Sequence, residues 1–83
     1  MNNSTRLKNW REAAGLTLSA AAKLVGATHP AWLSWETGQK RPSYPLARAL
    51  DRLTGGAVPE NEWLSETERT AIDAVQPYIA AVA

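Results

Sequence analysis

The stretch from residue 17 to residue 37 decides the fold, and it reads TLSAAAKLVGATHPAWLSWET. Thr17 and Thr28 are of a residue type that caps helix N-termini, and each stands before a run with helical spacing. Gly26 lies between the two runs, and glycine tolerates the backbone angles of a tight turn. The first run carries an apolar stripe on one helical face, made of Leu18, Ala21, Ala22 and Val25. The stretch therefore predicts a compact helix-turn-helix motif.

The second helix of this motif is predicted to have one buried and one exposed side. The chain has four tryptophans and no phenylalanine, so tryptophan must supply much of the core volume. Trp32 and Trp35 share a helical face and are predicted to point inward. The opposite side is named here the recognition face, because it is the side available to enter a DNA major groove. Its residues are His29, Pro30, Leu33, Ser34 and Thr37.

Further short helices are predicted on both sides of the motif, and no stretch has the alternation of a strand. The first helix is expected to start at a Ser4 or Thr5 cap and to end before Gly15. A fourth is expected to follow a Ser43 cap, and a single helical turn is expected within residues 58–64. The sequence S-x-x-E from Ser65 fits a capping box and predicts a further helix. Its apolar stripe contains Ile72, Val75, Ile79 and Val82, with Pro77 kinking or ending it.

Length and composition exclude several classes of protein. Eighty-three residues form one domain with one small core. The chain has no cysteine, which excludes a disulfide framework and a thiolate metal site. No apolar run has the length of a membrane span and no signal peptide is evident, so a cytoplasmic protein is expected. His29 is the only histidine and has no catalytic partners nearby in sequence, so the sequence predicts no enzyme, no metal and no cofactor.

The charge of the chain is unevenly distributed. The net charge is +1 overall, but residues 1–52 carry a net +5 and residues 53–83 a net −4. This asymmetry suggests a basic binding half beside an acidic half that faces elsewhere. The alternative is two solvated faces of a nearly neutral protein, and charge alone does not decide between them.

Two segments that flank the motif resemble a known family. Residues 11–17 read REAAGLT and residues 35–42 read WETGQKRP. Together with the alanine-rich helix between them, they resemble the lambda-type repressor and Cro (XRE-like) family of helix-turn-helix DNA-binding domains, over about residues 5–64. The resemblance implies an all-α, compact five-helix domain in residues 1–64, with residues 65–83 as an additional C-terminal helical segment. It also implies a homodimer bound to double-stranded DNA at a palindromic operator.

The resemblance and the helix geometry together assign expected roles to individual residues. Base contacts are expected from His29, Pro30, Leu33 and Ser34. Phosphate contacts are expected from Thr28, Thr37, Gln39, Lys40 and Arg41. Arg11 and Glu36 match a pair that joins the first helix to the end of the third in similar proteins, and a guanidinium can grip a carboxylate with two hydrogen bonds.

The sequence departs from the family pattern at two places. Leu18 stands where the family often has a glutamine that contacts the DNA backbone. The recognition face also lacks the arginine, asparagine and glutamine side chains that dominate direct base readout. We therefore expect modest base discrimination, with phosphate contacts and DNA shape contributing much of the binding.

Two functions follow from these expectations. The first is a phage or bacterial repressor or Cro-like regulator, associated with the nucleoid, that acts by occluding its operator. The second is an antitoxin or phage-encoded protein that uses the same fold and binds a partner. The C-terminal stripe either packs on its own domain or forms the homodimer contact, and the predicted dimer contacts are Trp63, Ile72, Val75 and Ile79.

Overall fold

The computed structural model describes residues 2–64 together with residues 68, 70, 71 and 74. Four complete α-helices lie within residues 2–64: Asn3–Ala13 (α1), Leu18–Leu24 (α2), His29–Thr37 (α3) and Tyr44–Leu53 (α4). A 3-10 helix, Glu60–Trp63, follows them. The prediction of an all-α chain is confirmed, because the described residues include no strand. The five-helix count is not confirmed, since the described ranges hold four α-helices and the 3-10 turn.

The start of α1 differs from the sequence prediction. Asn2 caps the helix, because its side-chain oxygen accepts a hydrogen bond from the backbone N–H of Thr5 at 2.9 Å. The helix therefore begins at Asn3, and a cap at Ser4 or Thr5 is wrong. Ser43 does precede α4, but its side chain makes no capping hydrogen bond. The helix predicted from Ser65 lies almost wholly outside the described residues. The predicted dimer contacts Ile72, Val75 and Ile79 also lie outside them.

The hydrophobic core is centred on α3. Trp32 is fully buried and Trp35 nearly so, and their rings lie 5.8 Å apart at a tilt of 46°. Both α1 and α2 pack against this helix, while the 3-10 helix packs against α4. The remaining buried residues of the core cluster are Leu7, Ala21, Ala22, Leu50 and Val58. Because α1 and α2 cover the side of α3 that carries the two tryptophans, the opposite side of α3 stays at the surface.

Two buried polar side chains connect the helices to the segment that follows α4. The amide of Asn3 donates a hydrogen bond to the carbonyl of Pro59 at 2.7 Å. The hydroxyl of Thr54 donates to the carbonyl of Leu50 at 2.7 Å and accepts from the backbone N–H of Val58 at 3.1 Å. These bonds satisfy polar groups that burial would otherwise leave unpaired, at a cost of about 1–3 kcal/mol each. They hold the turn after α4 against the start of α1.

Candidate nucleic-acid interface

The helix-turn-helix is built from α2, the turn around Gly26 and α3. The hydroxyl of Thr17 accepts a hydrogen bond from Ala20 N at 3.1 Å, and that of Thr28 accepts from Ala31 N at 3.3 Å. Gly26 has φ +70°, in the region where a side chain is strained. Both predicted caps and the predicted glycine turn are therefore present, and α3 ends at Thr37, three residues before Lys40.

The recognition face lies at the surface as predicted. His29, Pro30 and Thr37 are exposed, and Leu33 keeps 41% of its surface accessible. Ser34 is half-buried. Leu33 adds an exposed apolar side chain to this face, although Leu24 and Tyr44 elsewhere in the domain are exposed as well. This face thus offers an apolar surface of modest size beside a few polar groups.

The two hydroxyl groups of the recognition face donate to carbonyls of their own helix. Ser34 Oγ donates a hydrogen bond to the carbonyl of Ala31 at 2.6 Å. Thr37 Oγ1 donates to the carbonyl of Leu33 at 3.0 Å, with the carbonyl of Ser34 at 3.3 Å as a second acceptor. A hydroxyl has a single proton, so each of these oxygens has only lone pairs left to offer a further partner.

A short basic loop extends directly from the end of α3. Gly38 ends the helix with φ +78°, a left-handed conformation that favours glycine. The backbone N–H of Lys40 donates to the carbonyl of Ser34 at 3.2 Å, which folds the loop back on the last helical turn. Lys40 and Arg41 are exposed. Loop and helix together line an open cleft of about 420 Å³, formed by Pro30, Ala31, Ser34, Trp35, Gln39, Lys40 and Arg41.

Arg11 and Glu36 form a bidentate ion pair between α1 and α3. Arg11 Nε lies 2.6 Å from Glu36 Oε2, and Arg11 Nη2 lies 3.1 Å from Glu36 Oε1. The side chains are only 14% and 4% exposed, respectively. Hydrogen bonding to Glu36 raises the pKa of Arg11 above its ordinary value, so the guanidinium is charged at every pH of interest. The pair links the last turn of α3 rigidly to α1.

The carboxylate of Glu36 has a further partner that the sequence analysis missed. Trp32 Nε1 donates to Glu36 Oε2 at 2.5 Å. The signal was available, because residues four apart lie on one helical face and a buried indole N–H needs an acceptor. Arg11 is also anchored by a hydrogen bond from Nη1 to the carbonyl of Leu16 at 3.0 Å. Glu36 thus receives three donors from two helices.

Arg41, expected to contact phosphate, is paired with a residue of the acidic C-terminal segment. Arg41 Nη1 lies 2.6 Å from Glu68 Oε1, and the side chains are 52% and 41% exposed. The hydrogen bond to Glu68 raises the pKa of Arg41 above its ordinary value. The contact joins positions 27 residues apart, and no local pattern would have indicated it.

Two further residues named in the sequence analysis, Leu18 and Trp63, pack against the core, as the apolar stripe of α2 predicts for Leu18. Leu18, at the position where the family often has glutamine, is half-buried and packs against the core. Trp63 also packs against the core and is half-buried. Its indole nitrogen is buried without a hydrogen-bond partner among the described residues. Leu18 therefore replaces a polar contact with packing.

The arrangement of α2, turn and α3 defines a helix-turn-helix domain, and comparison with known families agrees. A family model described as a helix-turn-helix domain matches residues 4–71, and the chain belongs to this family. This match confirms the resemblance to the XRE-like helix-turn-helix proteins. The general class of the chain is that of DNA-binding regulators. No curated protein and no solved structure matches the chain.

The described residues contain neither a metal-binding cluster nor a membrane-spanning helix. Within residues 2–64 and the four further described positions, no group of histidine, cysteine, aspartate and glutamate side chains can hold a metal ion. In the same part of the chain, no helix is both long enough and apolar enough to cross a membrane.

Proposed function

We propose that the chain is a sequence-specific transcriptional regulator of the repressor or Cro type, from a phage or a bacterium, that acts at the nucleoid by occluding its operator. The observation that carries the proposal is the outward side of α3, which stays exposed next to the cationic loop that ends the helix. A helix of this kind fits the width of a major groove. In this proposal the base contacts come from His29, Pro30, Leu33 and Ser34.

The loop after α3 supplies the phosphate contacts in this proposal. Lys40 and Arg41 are exposed cations, and the bond from Lys40 N to the carbonyl of Ser34 holds the backbone of their loop against α3. Cations at the end of a groove-bound helix meet the sugar–phosphate backbone that borders the groove. The proposed phosphate contacts are Thr28, Thr37, Gln39, Lys40 and Arg41.

Arg11 and Glu36 orient α3 in this proposal without touching DNA. Their bidentate contact and the bond from Trp32 leave little freedom for α3 to rotate against α1. A positioned helix presents its side chains to the bases at a defined register, which is the requirement for discrimination between sequences.

A homodimer on a palindromic operator completes the proposal. Residues 1–64 act as the DNA-binding unit, and residues 65–83 form the dimer contact together with Trp63. The proposed contact residues are Trp63, Ile72, Val75 and Ile79. One domain of this size reads only one half-site, so a second copy related by a two-fold axis doubles the contacts. The net negative charge of residues 53–83 supports this division, because an acidic segment is repelled by DNA.

Selection from a random duplex pool tests this function. The purified protein is incubated with the pool at two salt concentrations, and the bound fraction is sequenced. We expect a two-fold symmetric motif with half-sites about one helical turn apart. Lys40→Ala with Arg41→Ala should weaken binding to all sequences alike and lower the slope of log affinity against log salt by about 1.8 per protomer.

The matched control is Arg48→Ala with Arg52→Ala. This variant removes the same charge from two exposed arginines of α4 that do not line the cleft beside α3. We expect the control to keep nearly the full salt slope of the unchanged protein. An equal loss in both variants would show that net charge alone drives binding. Binding without any enriched sequence would reject a sequence-specific regulator and favour the partner-binding alternative.

A further inference from the structure

The recognition face has hydrogen-bond acceptors and apolar groups but few donors, and this restricts the bases that it can bind. Both hydroxyl protons are used within α3, by the carbonyls of Ala31 and Leu33. Pro30 and Leu33 are exposed and apolar. Among the five residues of the face, only His29 carries a side-chain N–H. Towards DNA the face therefore presents hydroxyl lone pairs and hydrocarbon, with almost no donors.

The base pairs differ in the hydrogen-bonding and methyl groups that they present to such a face in the major groove. In the major groove guanine presents two acceptors, N7 and O6, which need donors from the protein. Adenine presents an N6 amino donor, and thymine presents a 5-methyl group. An A·T pair thus offers both a donor for a lone pair and a methyl group for an apolar side chain. A G·C pair offers the cytosine amino group but no methyl group.

We infer that the recognition face selects A·T pairs, with the thymine 5-methyl group packed on Leu33 and the adenine N6 amino group donating to Ser34 Oγ. The inference rests on the proposed function and adds a specificity to it. Pro30 and Ser34 line the same cleft and stand four residues apart, so an apolar and an accepting group lie side by side along α3. Guanine at these positions leaves its two acceptors facing lone pairs and hydrocarbon of the recognition face. The donors that also line the cleft, Gln39, Lys40 and Arg41, are assigned to phosphates in the proposed function.

Modified bases test this inference with the unchanged protein. Starting from the selected duplex, each half-site thymine is replaced in turn by uracil, which removes only the 5-methyl group. Each adenine is likewise replaced by unsubstituted purine, which removes only the N6 amino group. We expect at least one uracil substitution to weaken binding about fourfold, the effect of losing one buried methyl group. We expect one purine substitution to weaken binding by a similar factor.

Two variants connect these effects to the assigned side chains. Leu33→Ala should abolish the difference between thymine and uracil at one position, and Ser34→Ala should abolish the difference between adenine and purine at one position. Leu24→Ala is the matched control for the leucine, because Leu24 is 54% exposed on α2 and lies outside the recognition face. The control should retain both differences in full.

The outcomes separate the specificity from the function. An enriched motif whose affinity is unaffected by every uracil and purine substitution overturns the A·T selection but leaves a sequence-specific regulator. An enriched motif with guanine at the positions sensitive to Leu33 and Ser34 overturns it as well. A pool without enrichment overturns the proposed function and the inference together.

Discussion

Replacing Glu36 by alanine should destabilise the domain more than the loss of any surface charge. The side chain of Glu36 is 4% exposed and accepts from Arg11 Nε, Arg11 Nη2 and Trp32 Nε1. Its removal leaves a largely buried guanidinium without a carboxylate and an indole N–H without an acceptor. Breaking a buried ion pair on one side costs about 3–5 kcal/mol. Arg11 keeps 14% exposure and its bond to the carbonyl of Leu16, so we expect the lower end, about 3 kcal/mol.

Urea and thermal unfolding measure this cost. A loss of 3 kcal/mol corresponds to a fall of about 12–24 °C in Tm for a domain of this size. The matched control is Glu12→Ala, which removes an exposed carboxylate one residue from Arg11 and should change stability by less than about 0.5 kcal/mol. A double-mutant cycle with Arg11→Ala isolates the pair itself. If Glu36→Ala and Glu12→Ala unfold at the same urea concentration, the reasoning about the buried pair is refuted.

Two further predictions concern the turn after α4 and the C-terminal segment. Thr54→Val should cost about 1–3 kcal/mol in urea unfolding, because the Val58 N–H loses its acceptor in a buried site; an unchanged midpoint would contradict this. Glu68→Gln should tighten DNA binding in fluorescence anisotropy by at most about fivefold, because Arg41 then has no carboxylate to exchange for a phosphate. The gain should shrink as salt is raised, and equal affinities at low salt would show that Arg41 does not meet the backbone.

The predictable part of the fold consists of local signals. Caps at Thr17 and Thr28, and the glycine turn at Gly26, were read correctly because each depends on a few neighbouring residues. The predicted start of α1 was wrong because residues 2–5, NNST, are all good capping types. Asn2 prevails because its oxygen reaches the N–H of Thr5 while Asn3 is needed in the core.

The less predictable part of the candidate site depends on contacts distant in sequence. The bond from Asn3 to Pro59 spans 56 residues and the contact from Arg41 to Glu68 spans 27. Such pairs are decided by how the helices pack, and the sequence contains no spacing rule for them. The hydroxyl bonds of Ser34 and Thr37 are different, because serine and threonine commonly bond back to the preceding helical turn. The residue types alone do not decide whether such a hydroxyl bonds to its own helix or to DNA.

The division of α3 into a buried and an exposed side has a consequence for how such a protein can diverge. Trp32, Trp35 and Glu36 hold the helix in place, whereas Pro30 and Leu33 contribute little to the core. Substitutions at the outward positions therefore leave folding nearly intact and alter only which DNA sequences the surface of α3 can bind. After a gene duplication, two copies of this chain could acquire separate targets through a few codon changes while sharing one architecture.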